Sequence, residues 1–195
     1  MKFYRLFHHR KIDAALKILL ITNAMVLLAG FMLGPIYALF VTDIGGDILD
    51  AGWAWAIYAM AAGVTVYILS KVENKHKHKE KFLVAGYLIM ATGFFGYIFV
   101  HSIFTLFLVQ IIIGLGEAMY IPVYDGLYSK HLSRGNKTYE WGIWESMNYI
   151  VTGVGAIIGA TIAKVSGFES LFIFMGCLSL LAAVFIMLTP RKILN

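Results

Sequence analysis

The stretch GLGEAMYIPVYDGLY, residues 114–128, places two carboxylates, Glu117 and Asp125, inside a run that is otherwise apolar and aromatic. Ionised side chains are costly in a bilayer, so they are rare in membrane-spanning helices and mark functional positions there. Whether this stretch is a membrane span depends on the composition and hydropathy of the chain around it.

The composition is typical of an integral membrane protein. Of the 195 residues, 60% are hydrophobic and 14% are charged, and the mean hydropathy is +0.78. Soluble domains rarely reach such values, so a soluble class is excluded. After a basic start, the apolar run over about 14–41 exceeds the core of a signal peptide, about 7–15 residues, so we interpret it as a first span and not as a cleaved leader.

Six segments are long and apolar enough to cross a bilayer, which takes about 20 residues per helix. They cover about 14–41, 51–70, 82–100, 103–129, 139–163 and 169–189. The joining segments are short and polar, so 1–195 is predicted to be one six-helix transmembrane domain. The runs lack the apolar–polar alternation of a membrane β-barrel, so the fold class is predicted to be all-α.

The basic residues predict the orientation. Of the sixteen Lys and Arg residues, only Lys164 falls on one side of the predicted spans. The positive-inside rule therefore predicts that both termini are cytoplasmic, in a plasma or inner membrane. The positive net charge is then explained by this orientation and by attraction to anionic lipid headgroups, so we expect no nucleic-acid partner. The residues on the cytoplasmic side are Lys2, Arg5, Arg10, Lys11, Lys17, Lys71, Lys75, Lys77, Lys79, Lys81, Lys130, Arg134, Lys137, Arg191 and Lys192.

Metal, cofactor and catalytic motifs are not recognisable. His76 and His78 alternate with lysines in KVENKHKHKEK (71–81), a pattern that favours a solvated loop over a metal site. Cys177 is the only cysteine, so no intrachain disulfide forms. Since no nucleophile–base pair or phosphate-binding loop is visible, we expect neither enzyme activity nor a cofactor.

The two halves of the chain resemble each other weakly. GPIYALF (34–40) is like IPVYDGLY (121–128), and GWAWAIYAMAAG (52–63) is like EWGIWESMNYIVTG (140–153). Because three spans is an odd number, a second copy lies inverted in the membrane, as in many transporter repeats. Chance similarity among spans rich in Gly, Pro and aromatic residues is the alternative.

The stretch FLVQIIIGLGEAMYIPVYDGLYSKHLSRGNKTYEWGIWES (107–146) resembles the fourth helix, basic loop and fifth helix of the major facilitator superfamily. The whole chain resembles the six-helix N-terminal half of a full-length member. The resemblance implies a 3+3 inverted repeat and alternating-access transport. Because full-length members join two such halves, a half-size chain with an even span count is expected to form a parallel homodimer.

Three motifs depart from the family pattern. Val66 and Ser70 stand where the loop after the second span usually has Gly and Asp, and Gln110 stands where the fourth helix often has Arg. Gly159 is followed by Ala160, whereas proton-coupled drug exporters carry Gly-Pro there. The resemblance therefore extends to the fold and not to the exporter subfamily.

Helical spacing groups polar residues on inward faces of the first, fourth and fifth spans. On the fourth span Asp125 lies about 12 Å nearer the cytoplasm than Glu117. Pro35 and Pro122 free backbone carbonyls, as is tolerated around a cavity. The predicted substrate- or proton-binding residues are Glu117, Asp125, Glu145, Asn148, Asn23, Tyr37, Tyr120 and Tyr124.

No basic side chain is predicted near the midplane, so Glu117 is expected to be protonated, wetted by a cavity, or neutralised by an arriving solute. This pattern favours a cationic or neutral polar solute over an anion. We therefore expect a homodimeric uniporter or symporter, with proton coupling through Glu117 as a hypothesis. The alternative is a non-transporting structural or assembly protein whose polar residues only join helices, with Asp125 and Glu145 pairing with Lys130 or Arg134.

Overall fold

The computed structural model describes residues 12–73 and 78–194, without the side chains of 72 and 73. Several basic residues used for the predicted orientation, and one histidine of the rejected metal motif, lie outside the described residues: Lys2, Arg5, Arg10, Lys11, Lys75, His76 and Lys77.

Within the described ranges the regular structure is entirely helical, which confirms the all-α prediction. Five helical runs there are long and apolar enough to cross a membrane, and the first of them is formed by α1 and α2 together. The helices are α1 (Ala14–Leu33), α2 (Tyr37–Asp43), α3 (Ile48–Glu73), α4 (Lys79–Gly96), α5 (Ile103–Lys130), α6 (Lys137–Leu188) and α7 (Arg191–Leu194).

The run of α6 contains two helical arms. Its 52 residues would extend about 78 Å as one rod, more than twice the hydrocarbon thickness of a bilayer. At Gly167 the backbone leaves helical geometry, with φ 83° and ψ 170°, a conformation that glycine adopts without steric cost. We call 137–166 the first arm and 168–188 the second arm. The sequence predicts a connection over 164–168, and the structure confines the break to this one glycine.

The contacts of the second arm show that the chain reverses at Gly167. The Phe168 ring lies 5.3 Å from that of Phe40 in α2, the last helix of the first span, so the second arm begins at this end of the bundle. Beyond the second arm, Arg191 Nε lies 3.5 Å from Glu80 Oε1 at the start of α4, which is the opposite end. The five runs therefore form six rods, and α7 returns to contact α1.

Two of the three prolines, Pro35 and Pro122, lie inside the predicted spans, and they have different effects on their helices. Pro35 lies in a short 3₁₀ turn, Gly34–Ile36, that separates α1 from α2. Pro122 lies inside α5, which continues through it to Lys130. Only the first proline therefore interrupts a helix, at the wall of the cavity described below.

Glycines let the rods approach closely. A Cβ on Gly116 of α5 would lie 2.9 Å from the backbone nitrogen of Met90 in α4. A Cβ on Gly159 of the first arm would overlap the carbonyl group of Met32 in α1. Small residues at such crossings allow backbone-to-backbone packing, which drives helix association in membranes.

Candidate functional site

A cavity of about 430 Å³ lies between α1, α3, α4, α5 and both arms of α6. Seven of the eight sequence-predicted site residues line it, so residues far apart in the sequence meet at one place. Three spans position them: α1 and α2 together carry one side of the cavity, α5 carries another and the first arm of α6 a third. The seven are Asn23, Tyr37, Glu117, Tyr120, Tyr124, Asp125 and Asn148.

Glu145 does not line the cavity. It lies exposed on the first arm, three residues from Asn148, which does. Trp144 and Asn148, four positions apart, share the face that lines the cavity, and Glu145 is turned about 100° away from Trp144 around the helix. The structure thus separates Glu145 from the other predicted site residues.

The Glu117 carboxylate is held by a tyrosine of another helix. The Tyr58 hydroxyl of α3 donates a hydrogen bond to Glu117 Oε2 of α5. A Cβ on Gly114 would lie 2.6 Å from the Tyr58 carbonyl oxygen, so the absence of a side chain at Gly114 lets α3 approach α5 at this level. The glycine three residues before the acid therefore makes the Tyr58–Glu117 contact possible.

A second polar contact joins α5 to the broken first span. The Gln110 side-chain amide donates to the Tyr37 hydroxyl, and Gln110 is buried. Tyr37 begins α2 directly after the 3₁₀ turn at Pro35. Gln110 and Glu117 lie two helical turns apart on α5, so each pairs with the tyrosine of a different neighbouring helix.

Two polar groups in the cavity wall interact with each other. The Tyr124 hydroxyl and the Trp144 indole N–H are both buried, and within the described part of the chain each has only the other as a polar side-chain partner. Tyr128, one turn further along α5, is different because its hydroxyl donates to the Glu140 carbonyl oxygen at 2.6 Å. Tyr124 thus belongs to the cavity, whereas Tyr128 fixes the start of α6 against the end of α5.

The cavity carries acidic groups without basic ones. Asp125 and Glu117 both line it, and none of the described lining residues is Lys, Arg or His. In the described ranges Asp125 and Glu145 form no ion pair with Lys130 or Arg134, which the packing alternative expects. The lining therefore favours positive charge or hydrogen-bond donors in a bound solute.

Sequence reasoning missed five lining residues whose side chains can form hydrogen bonds: Trp55, Tyr58, Tyr97, Gln110 and Trp144. The two tryptophans are noticed in the sequence only as members of the weak repeat. Tyr58 is the one tyrosine in the small-residue segment AWAIYAMAAG (54–63), and this isolation is a usable signal. Gln110 stands at a family position that often holds Arg, which is a further signal for a site residue.

Comparisons with known proteins agree with this architecture. The family model described as Major Facilitator Superfamily matches residues 19–193. The chain is similar to an uncharacterized MFS-type transporter of Methanocaldococcus jannaschii, at 27% identity over 178 residues, which are 89% of this chain and 45% of that protein. It is 24% identical over 155 residues to the proton-coupled antiporter flippase LtaA of Staphylococcus haemolyticus, covering 77% of this chain and 39% of that protein.

The multidrug resistance protein MdtG of Erwinia billingiae is 23% identical over 177 residues, which are 89% of this chain and 43% of that protein. The chain thus spans less than half the length of the curated relatives it matches. Their names refer to transport or drug resistance and none refers to an enzyme, in agreement with the expectation of a non-enzymatic protein. The resemblance drawn from residues 107–146 is confirmed, because the family model covers most of the chain: this protein belongs to the Major Facilitator Superfamily.

Proposed function

We propose that this protein is a membrane transporter that moves a small cationic or neutral polar solute by alternating access. The observation that carries the proposal is the cavity of about 430 Å³ that holds Glu117 and Asp125 with no basic residue among its described lining residues. An intramembrane carboxylate facing a cavity is a candidate ion or substrate site. The names of the similar proteins, which include a transporter and an antiporter flippase, support the same class of function.

We infer that the chain contains a 3+3 inverted repeat. Exchanging α1–α2 with α5, α3 with the first arm and α4 with the second arm converts the contact of α5 with α3 into the contact of α1 with the first arm. The packing of Gly114 in α5 on Tyr58 in α3 corresponds to that of Gly159 in the first arm on Met32 in α1. Gly176 of the second arm packs on Phe95 of α4. These two rods exchange with each other, so the exchange leaves their contact as a contact between the same two rods. This correspondence supports the sequence similarity of the two halves.

The protein is proposed to work as a parallel homodimer with the cavity at the two-fold axis. The outer face of α3 leaves large side chains uncovered, among them Trp53, which is 56% exposed, and Tyr67, which is 67% exposed. On the first arm, Glu145 is exposed and is the one charged residue within 141–163, and a charged side chain facing lipid is costly. If a partner copy covered this face, or a water-filled space between two copies reached it, Glu145 would not face lipid and this cost would be lower.

Proton coupling is proposed to pass through Glu117. Its carboxylate lies at the cavity wall and accepts a hydrogen bond from the Tyr58 hydroxyl. A tyrosine hydroxyl can also accept a hydrogen bond, so it can remain bonded to Glu117 when the acid is protonated. A carboxylate that is neutral when occluded and charged when wetted can link proton movement to solute movement. One similar protein is named a proton-coupled antiporter, which supports coupling of this kind.

The orientation is proposed to place both termini in the cytoplasm of a plasma or inner membrane. The described basic residues flanking the helices, such as Lys79, Lys130 and Arg191, lie at one end of the bundle, and Lys164 lies near its other end. This arrangement supports the positive-inside assignment made from the sequence.

One observation favours a non-transporting role as the second candidate. The Tyr58–Glu117 hydrogen bond joins two helices, which is what a purely structural carboxylic acid would do. Accessibility separates the two candidates. In a Cys177→Ser background, Asn148→Cys at the cavity should react with a water-soluble thiol reagent, and bound solute should protect it. Ala183→Cys, at a fully buried position outside the cavity, is the matched control and should stay unreactive.

The transport proposal is tested with purified protein reconstituted into liposomes. Uptake of a labelled organic cation should follow an imposed pH gradient, while an organic anion of the same size should not enter. Native mass spectrometry of the same preparation should show a dimer. Full transport by a strictly monomeric protein would contradict the dimer. An unreactive Asn148→Cys variant together with an absence of transport would favour the structural role.

A further inference from the structure

We propose that the cavity binds dications whose two positive charges lie about 12 Å apart, such as long-chain primary diamines. This inference rests on the proposed transport function and names its substrate class. It follows from two carboxylates, Glu117 and Asp125, that line one cavity at different depths, and from a buried amide, Asn23, that lies level with the second of them.

The cavity offers two negative charges and no positive one. Glu117 and Asp125 both line it, and none of the described lining residues is Lys, Arg or His. Within the described ranges Asp125 forms no ion pair, and Glu117 is hydrogen-bonded to the neutral Tyr58 hydroxyl. An ionised carboxylate is costly away from water, so a solute with a single charge would compensate one acid and leave the other without a counter-charge.

The two acids are too far apart to share one positive charge. They are eight residues apart on α5, which is about 12 Å along the helix axis. An ammonium group contacts a carboxylate oxygen at about 3 Å, so one such group reaches only one of the two acids at a time. Two ammonium groups joined by a chain of matching length reach both.

A buried amide marks the Asp125 level as a binding position. Asn23 of α1 is 3% exposed and lines the cavity. Its amide forms no hydrogen bond within the described part of the chain, and its polar atoms are not among the fully enclosed ones. A buried polar group without a partner is costly, so the contents of the cavity must complete this amide. A primary ammonium group has three N–H donors, enough for the Asn23 amide oxygen and the Asp125 carboxylate together.

The packing of α5 on the first span places Asn23 at the depth of Asp125. These two spans run in opposite directions, because the turn after α2 packs on the start of α5. Gln110 donates a hydrogen bond to Tyr37, and Asn23 lies as many residues before Tyr37 as Tyr124 lies after Gln110. Asn23 is therefore level with Tyr124, whose neighbour in α5 is Asp125.

A second amide lies close to this depth on a third span. Trp144 of the first arm interacts with Tyr124 of α5, and Asn148 follows Trp144 by one helical turn on the face that lines the cavity. Asp125, Asn23 and Asn148 thus surround the same part of the cavity from three spans. Their oxygens are acceptors for N–H groups, which a primary ammonium has and a quaternary ammonium lacks.

Three soluble probes test the inference: 1,8-diaminooctane, 8-amino-1-octanol and 1,4-diaminobutane. The first two have the same chain length and differ by one charge. The two diamines differ in spacing, because their nitrogens lie about 11 Å and about 6 Å apart in extended, staggered chains. Dissociation constants are measured by calorimetry on the purified full chain at neutral pH, where the amines are charged. The wild-type protein should bind 1,8-diaminooctane at least about tenfold more tightly than either other probe.

Asp125→Asn tests the second acid, because it keeps the shape of the side chain and removes the charge. It should lower the preference for 1,8-diaminooctane over 8-amino-1-octanol from at least about tenfold to less than about threefold, since the second ammonium group no longer meets a carboxylate. The ratio cancels any general loss of binding-competent protein. Asp43→Asn is the matched control, since Asp43 is exposed at the end of α2 and does not line the cavity, and it should leave the preference unchanged.

The outcomes separate this inference from the proposed function. Equal wild-type affinities for 1,8-diaminooctane and 8-amino-1-octanol would overturn the inference while cation binding stands, and so would a preference that Asp125→Asn leaves intact. The wild-type comparison needs no variant, so the inference stays testable even if Asp125→Asn does not fold. If none of the three probes binds, the cationic form of the proposed function is overturned and this inference with it.

Discussion

The Tyr58 hydroxyl donates a hydrogen bond to the Glu117 carboxylate, joining α3 to α5 at the wall of the cavity. The contact exists because Gly114 lets the two helices approach, and it provides the acid with a partner that is not a cation. Of the two acids in the apolar stretch 114–128, Glu117 is therefore both hydrogen-bonded and turned toward a cavity.

A double-mutant cycle should show that Tyr58 and Glu117 interact. Tyr58→Phe alone leaves the carboxylate without its donor and should lower the free energy of unfolding by about 1–3 kcal/mol. In a Glu117→Leu background the same substitution should cost much less, because the tyrosine hydroxyl has already lost its acceptor. Unfolding in mixed detergent micelles measures both values, and equal costs in the two backgrounds would show that the pair is not coupled.

Glu117→Gln should uncouple transport from protons without unfolding the protein. The amide keeps the shape and hydrogen-bonding capacity of the neutral acid but cannot release a proton, so the melting temperature should stay the same or rise. Uphill transport should fall to background and binding should lose its pH dependence, while exchange of bound solute continues. Liposome assays across a pH range check this, and normal proton-driven transport by the variant would exclude the role of Glu117.

Tyr128→Phe should lower stability more than Tyr124→Phe. The Tyr128 hydroxyl donates a hydrogen bond to the Glu140 carbonyl oxygen, so losing the hydroxyl should cost about 0.5–1.5 kcal/mol. The Tyr124 hydroxyl interacts only with the Trp144 indole N–H and has no acceptor for its own hydrogen, so its removal should cost less. Thermal unfolding of the two variants in one detergent makes the comparison, and an equal or larger loss of stability in Tyr124→Phe would contradict this prediction.

Gly159→Ala should destabilise the bundle, and Gly153→Ala should not. A methyl group at Gly159 would meet the Met32 carbonyl carbon at 2.6 Å, which forces α1 and the first arm apart at a cost of about 1–3 kcal/mol. Gly153 lies six residues earlier on the same arm, where an added Cβ would meet no atom within 4 Å, so alanine there should gain helix propensity of up to about 1 kcal/mol. Equal melting temperatures for the two variants would contradict the close α1 contact.

Cysteine labelling should place the two ends of the bundle on opposite sides of the membrane. In a Cys177→Ser background, Asp43→Cys should react with an impermeant reagent in intact cells, and Lys77→Cys and Arg134→Cys only after lysis. Asp43 is preferable to Asp47 because Asp47 accepts hydrogen bonds from the first amides of α3. Reaction of Lys77→Cys from outside would reverse the orientation.

The sequence by itself determined the class of protein and where the polar residues lie along the helices. Hydropathy and charge are sums over local segments, so the all-α membrane class follows from them without knowledge of packing. Helical spacing placed Glu117, Tyr120 and Tyr124 on one face, and the structure brings all three to the cavity. These features depend only on helix geometry within one span.

Only the tertiary structure decided which helices face one another. Tyr58 looks like an ordinary aromatic residue of α3 until the approach at Gly114 brings it to Glu117, and Trp144 acquires meaning only beside Tyr124 in the cavity wall. Glu145 has favourable helical spacing and yet lies outside the cavity, because the rotation of the first arm is set by the packing of Gly159 on Met32. A site built between helices depends on their rotation and contact distances, and small residues at the crossings set both.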